Sequence, residues 1–278
     1  MKATILKLDG KKGKSIDMPR VFSEELRPDL IRRAFHSIRS RSFQPKGADV
    51  RAGFRTTATG WGTGGGMSRI PRTKAGPRRA GRSAKGRRYR SKGRWFPAAG
   101  RGAIIPGTVG GRQAHPPKSC KILIKKMNDK ELGKAMRSAI ASTVVPELVK
   151  GRGHAIGDIT LPLVVDDTFM SLEKTKGVKE TLSAIGLSEE LERSSKRSIR
   201  AGIGKLRGRK YRTKTGPLLV VPSTEERQPI LRAARNMPGV TAVSVNELDM
   251  EMLAPGSHAG RLIIWTESAI KDLQRRFA

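Results

Sequence analysis

Cysteine is almost missing from this 278-residue sequence, where Cys120 stands alone. One thiol can form neither an internal disulfide nor a cysteine metal cage, which fits a reducing cytosolic compartment. Aromatic residues are scarce too, at 4% against 36% hydrophobic overall. That composition builds one modest core rather than several, and the length permits one or two domains. No run approaches the roughly 18–20 apolar residues that cross a bilayer. Met1-Lys2-Ala3-Thr4-Ile5 turns polar at once, without a signal-peptide core, so no membrane partner is expected. Acidic residues are few, 24 against 57 Lys plus Arg, which leaves a net charge of +33 and a pI near 11.4. So basic a chain repels itself unless a polyanion neutralises it, and RNA or DNA is the usual partner.

Enzyme chemistry is equally thin. The four histidines, His36, His115, His154 and His258, stand at no metal-ligand spacing and near no cysteine. No Ser-His-Asp or Cys-His arrangement can be argued from spacing. Asp166-Asp167 follows a predicted strand end, where α/β enzymes place carboxylates. Without a partnering nucleophile or base the pair reads as a helix entry. Spacing thus offers no argument for a catalytic, metal or cofactor site.

What the sequence has is unevenly spread. Residues 44–118 carry 18 Lys plus Arg, 13 of them Arg, and one acid, Asp49, a net +17. The same segment holds 16 of the 31 glycines and no sustained apolar period at 3.6 or 2, so most of it reads as neither helix nor strand. Its apolar content is too low to offset the ordering entropy alone, which predicts a segment that orders on a partner. Either side, the chain reads as folded. Ala3–Leu8 alternates as a strand, and Ile31, Ala34, Phe35 and Ile38 share one helical face. Asn128 and Glu131 form a capping-box-like start to a helix with Leu132, Ala135, Met136, Ala139 and Ile140 inside. Ile159–Val165 reads as a strand, and Val178, Leu182 and Ile185 as a short helix stopped by Gly186. Leu218–Val221 is a strand, followed by a helix opened by Ser223 and Glu226 that contains Ile230, Leu231 and Ala234. Thr241–Val245 and Leu262–Trp265 are further β-rich runs, and Ile270, Leu273 and Phe277 mark a last helix. Short apolar strands between helices predict an α/β fold, a mainly parallel sheet with helices on both faces. To it is added a long extended basic internal loop. The expected division is a globular domain of residues 1–43 and 119–278, and an Arg/Gly-rich loop of residues 44–118.

The cluster Gly60-Trp61-Gly62-Thr63-Gly64-Gly65-Gly66 contains a formal G-x-G-x-x-G. A dinucleotide site needs a strand before it and a helix start after it. Here Met67-Ser68-Arg69-Ile70-Pro71 follows, and the proline argues against a helix. Close approach of the backbone to RNA is the better use of these glycines. The cations Arg51, Arg55, Arg69, Arg72, Lys74, Arg78, Arg79, Arg82, Arg87, Arg88, Arg90, Arg94, Arg101, Arg112 and Lys118 are the expected phosphate contacts, because a guanidinium fork pairs phosphate bidentately. Trp61 and Trp95, with Tyr89 and Phe96, are expected to stack on bases, and His115 lies in a rigid His-Pro-Pro stretch as an RNA or packing contact. A second basic run, residues 193–214, has ten Lys or Arg and no acid. Arg197, Arg200, Lys205, Arg207, Arg209, Lys210 and Arg212 fall in it, and its glycines predict a loop beside the sheet that adds a second RNA contact. An RNA-modifying enzyme of doubly wound fold and a chromatin-like DNA binder are the competing classes.

Several blocks resemble universal large-subunit ribosomal protein four in its archaeal and eukaryotic form. They are Gly110-Gly111-Arg112-Gln113-Ala114-His115-Pro116-Pro117-Lys118, the helix from Met127 to Ala141, Arg200-Ala201-Gly202 through Gly216-Pro217, and Pro238-Gly239-Val240 with Leu253 to Arg261 and Trp265 to Ala269. They span most of the chain in the family's order. The eukaryotic C-terminal extension is missing after Ala278, which favours the archaeal type. The resemblance implies a cytoplasmic structural protein of the large ribosomal subunit, with large-subunit rRNA and neighbouring ribosomal proteins as partners and structural Mg of that rRNA as the only metal nearby. It implies a loop threaded into rRNA with its tip at the polypeptide exit tunnel, close to the nascent polypeptide. By motif placement that tip is Trp61, Gly62, Thr63, Gly64, Gly65, Gly66, Met67, Ser68 and Arg69, continuing to Arg72.

Overall fold

A computed structural model of the chain describes residues 1–60, 62–64, 68–73, 101–157, 159–223 and 228–277. They form two compact units, one of residues 1–42 and 124–278 and one of residues 43–123.

In the larger unit, apolar alternation shapes the sheet. Leu218 and Val220 of β8 (Leu218–Val221) face one core, while Leu219 and Val221 face the other. Ile263 and Trp265 of β10 (Ile263–Thr266) join the first core and Ile264 the second. In β5 (Leu163–Val165), Val164 faces the first core and its two neighbours the second. Strands apolar on both faces need cover on both, and a mainly parallel sheet results. With β1 (Lys2–Leu6), β2 (Lys12–Asp17) and β9 (Thr241–Ser244), the order is β2-β1-β5-β10-β8-β9. Every pairing is parallel except that of β1 with β2.

The first core is closed by α1 (Pro28–Arg41), α2 (Asp129–Ala141), α7 (Met250–Leu253) and α8 (Glu267–Arg276). Trp265, fully buried, meets the ring of Phe22 edge-on at 5.5 Å. The second core is closed by α4 (Thr175–Ala184), α5 (Ser188–Ser195) and α6 (Pro229–Arg235), with Val149 from α3 (Pro146–Gly151).

The structure corrects several expected boundaries. The strand expected from Ile159 begins at Leu163, immediately after Pro162, whose missing N–H cannot join a ladder. Asn128 does sit at the N-cap of α2, but its side chain makes no capping bond, and Glu131 turns to Arg33 of α1 at 3.3 Å. The helix expected to open at Ser223 begins instead at Pro229, with Gln228 as N-cap; Glu226 lies outside the described residues. The run 193–214 is not simply a loop. Arg193 belongs to α5, and β6 (Ser198–Ile199) pairs antiparallel with β7 (Tyr211–Arg212).

In the smaller unit, β3 (Ala58–Thr59) pairs antiparallel with β4 (Arg72–Thr73). A third segment continues the ladder: Arg72 bridges Gly102, Thr73 N–H donates to Arg101 O at 2.9 Å, and Ala103 N–H donates to Pro71 O at 2.9 Å. Gly111 of the Gly-Gly-Arg motif is a packing requirement, and so is Gly53, which lies against that motif. A Cβ on Gly111 would lie 2.2 Å from Ile105 O, and one on Gly53 would lie 2.3 Å from Arg112 N.

Candidate nucleic-acid interface

Cations crowd both units. In the smaller one, Arg51, Arg55, Arg69, Arg101, His115 and Lys118 are exposed and Arg112 is half-buried. Asp49, the segment's single acid, accepts from the Arg55 guanidinium and from Arg51 N–H. Arg72 is placed differently from a free phosphate contact: it is buried, and Nη2 donates to Ser68 Oγ at 2.9 Å. The described tip residues, Gly62, Thr63, Gly64, Ser68 and Arg69, lie in the turn between β3 and β4. Gly62 and Gly64 take φ of +65° and +84°. The strand that closes this turn replaces the helix start a dinucleotide site needs. Trp61, Gly65, Gly66, Met67, Lys74, Arg78, Arg79, Arg82, Arg87, Arg88, Arg90, Arg94 and Trp95 lie outside the described residues.

On the larger unit, the hairpin of β6 and β7 carries Arg197, Arg200, Lys205, Arg207, Arg209, Lys210 and Arg212, all exposed. Arg200 N–H donates to Lys210 O at 2.8 Å, which closes the ribbon, and Lys210 Nζ lies 5.5 Å from the Tyr211 ring centre. Ile199, Ile203, Leu206 and Tyr211 are exposed on the same hairpin. An apolar and aromatic surface studded with cations can stack on bases while pairing phosphates.

Beneath the hairpin lies a polar cluster that sequence reasoning missed. Glu190 of α5 is wholly buried and accepts four hydrogen bonds. They come from Arg193 Nε at 2.7 Å, Arg193 Nη2 at 2.6 Å, His154 Nδ1 at 2.7 Å and Ala155 N–H at 2.9 Å. Burial pushes its carboxyl up, but the donors from Arg193, His154 and Ala155 outweigh burial and hold it at about 2. Because Nδ1 of His154 faces a carboxylate, it carries the hydrogen. Arg261 is also buried and clamps three elements: Nε to Gly216 O at 3.1 Å, Nη1 to Met252 O at 2.8 Å, and Nη2 to Thr241 Oγ1 at 2.8 Å. The available signal was the spacing of Glu190 and Arg193, one helical turn apart beside Leu187 and Leu191.

The carboxylates at the other end of the sheet do ordinary work. Asp166 accepts from Asp167 N–H and Thr168 Oγ1, and Asp167 accepts from Ser268 N–H at 3.0 Å and from the Ser268 hydroxyl. They cap helices at the strand ends where an α/β enzyme would hold its substrate.

The architecture thus defines a class: a basic α/β protein with a cation-rich segment of residues 44–118 and a second basic hairpin. The sequence model of the ribosomal protein L4/L1 family matches residues 16–276. Relatives named large ribosomal subunit protein uL4 include that of Methanospirillum hungatei, 44% identical over 98% of both chains. That of Methanocaldococcus jannaschii is 43% identical over the full length of both. The chain belongs to the ribosomal protein L4/L1 family, and the relatives are of archaeal type.

Proposed function

We propose that the chain is a non-enzymatic structural constituent of the large ribosomal subunit, in the cytoplasm, that binds large-subunit rRNA and supports its assembly. The observation that carries this reading is the net +17 of residues 44–118, whose single acid is already paired with Arg55. Each Arg or Lys that meets a phosphate releases counterions. Roughly ten such contacts give a log-affinity against log-salt slope of about −7 to −9. A salt titration on large-subunit rRNA fragments tests it, and a slope near zero would overturn it.

Residues 61–69 are proposed as the tip that stands at the wall of the exit tunnel, near the nascent polypeptide and neighbouring ribosomal proteins. No cofactor is required beyond structural Mg of the rRNA. A photo-crosslinking residue at Thr63 should label a stalled nascent chain on assembled subunits; labelling only of rRNA would remove the tunnel assignment. The pairing of Thr73 with Arg101 suggests a sharper test of the rRNA contact. Replacing residues 74–100, which hold ten cations and no acid, by Asn-Gly should close the ladder with a two-residue turn. Far-UV circular dichroism should be retained for the rest, with a much shallower salt slope. An unchanged slope would move the rRNA contact away from this segment.

A further inference from the structure

The Leu253–Arg261 motif is so far unexplained by RNA contact, and it leads to a cleft. A cavity of about 940 Å³ opens on the larger unit at the amino-terminal ends of β8 and β10. Its cationic lining is Arg32, Arg152, Arg193, Arg212 and Lys214, against one acid, Glu147. These residues come from four separate stretches of sequence: α1, the end of α3, α5, and the strand β7 with the segment after it. Its volume lies at the upper end of the roughly 300–1,000 Å³ of ligand sites. This end of the sheet is opposite to the one where open α/β sheets hold small cofactors.

The wall is built. Arg152 donates to Pro255 O at 2.6 Å and to His258 O, so it ties down the 255–258 turn. That turn includes Gly256 at φ +75° and Ser257, a non-glycine residue, at φ +71°. Gly260 closes it, so near the α3 backbone that a Cβ would lie 2.8 Å from Leu148 O. Arg193 is anchored on Glu190 and donates to Thr215 O at 2.6 Å. Behind the wall, the buried carboxylate of Glu190 bonds Arg193 and attracts Arg261, while Arg152 stands beside both guanidinium groups with no carboxylate partner among the described residues. Burial holds Arg152 and Arg261 below the usual guanidinium range, and a neighbouring guanidinium adds to it in each case: Arg193 for Arg152, Arg152 for Arg261, which falls to about 10. The cluster is short of negative charge. At the mouth, Arg32, Arg212 and Lys214 have no ion pair or side-chain hydrogen bond among the described residues. Three unspent cations above an undercompensated cationic floor call for an anion.

We infer that this cleft is a phosphodiester-binding groove, in which Arg32, Arg212 and Lys214 pair with phosphates of one RNA strand over a fixed floor of Arg152 and Arg193. The arginine share of the lining suits bidentate phosphate recognition. The adjoining Tyr211, half exposed on the cation-rich hairpin, offers a base a stacking face. The inference rests on the RNA-binding function proposed above and deepens it. It joins the second basic run to residues distant in sequence and gives their shared strand a place to lie.

The test compares two triple variants of the full chain by salt titration on a large-subunit rRNA fragment. One is Arg32→Glu with Arg212→Glu and Lys214→Glu; the other is Lys11→Glu with Lys12→Glu and Lys14→Glu. The second changes charge equally, at and beside β2 and outside the cleft. The cleft triple should weaken binding by about tenfold or more and make the slope shallower by about 2, while the β2 triple stays within about twofold of the parent chain. Equal effects from both triples, or none from the cleft triple, would overturn the groove and leave the RNA-binding reading standing. A parent slope near zero would overturn both. Should the cleft triple fail to fold by circular dichroism, Arg212→Gln with Lys214→Gln must still lose about 1 to 1.5 of slope. Two further probes separate the sources of anion. If inorganic phosphate raises the melting point of the parent and not of the cleft triple, while the RNA slope is unchanged, the cleft holds a free anion and the inference fails. It fails equally if a polyglutamate peptide displaces the RNA more effectively than a competing RNA of the same length.

Discussion

Replacing Glu190 by Gln keeps its shape and removes its charge, and the expected cost follows from the site. The carboxylate accepts four hydrogen bonds, a number that saturates its lone pairs. An amide offers one acceptor oxygen and turns an NH2 group toward Arg193 or His154. The carboxyl is held at about 2 against an ordinary 4.5, a difference worth about 3 kcal/mol at neutral pH. Breaking a buried pair from one side gives a similar figure, roughly 3–5 kcal/mol. For a unit of this size that lowers the melting point by roughly 6–12 °C. The sign with pH is definite. A depressed folded-state value means the contribution is complete above about 4.5 and is lost as pH falls toward about 2. Urea melts followed by circular dichroism at pH 7, 4 and 2.5 should therefore show parent and Glu190→Gln far apart at pH 7 and converging in acid, where protonated Glu190 resembles the amide. A gap at pH 7 under about 1 kcal/mol, or one constant from pH 7 to 2.5, would refute the assignment of Glu190 as the cluster's anion.

Other substitutions probe the frame around it. Trp265→Phe should cost under about 1.5 kcal/mol, because Trp265 Nε1 is buried without an acceptor among the described residues, whereas Trp265→Ala should cost roughly 3–5 kcal/mol; equal losses in urea melts would contradict this. Gly260→Ala meets both a φ of +88° and Leu148 O at 2.8 Å, and should lower stability by about 2 kcal/mol or more in the same assay. Arg261→Lys replaces a fork that reaches three elements by one ammonium; about 3 kcal/mol should be lost in urea melts, with rRNA affinity of the folded fraction falling because the cleft wall shifts.

The strands that sequence reads well are those whose side chains are apolar on both faces, such as Leu218–Val221 and Ile263–Thr266. Helices α1, α2 and α8 were legible from one apolar stripe each. What stayed hidden has a physical reason. Lys12–Asp17 is an edge strand whose residues are nearly all exposed, so backbone pairing holds it and no hydrophobic period marks it. Glu190 hid because a carboxylate normally reads as surface, and only the fold brings His154 and the Ala155 N–H to it. The charge asymmetry that marks residues 44–118 is visible in composition alone. The cleft is not, because Arg32, Arg152, Arg193 and Lys214 become neighbours only when four separate stretches pack together.

Strands apolar on both faces leave one question open at folding: alignment. When one face is polar, a slip by one residue exposes the wrong side chains and is rejected. In β5, β8 and β10 a slip would exchange one oily face for another, with little difference in polarity. The polar groups at the strand ends then act as stops. Arg261 fixes β10 and β8 at one end through Gly216 O, and Gly216 N–H donates to Gly239 O across to β9. At the opposite end Asp167 holds Ser268, and Asp272 accepts from Ser223 N–H. Chains altered at these few polar sites should keep their helices and hydrophobic collapse yet lose uniqueness of strand alignment, a misfolding route that the apolar core cannot correct.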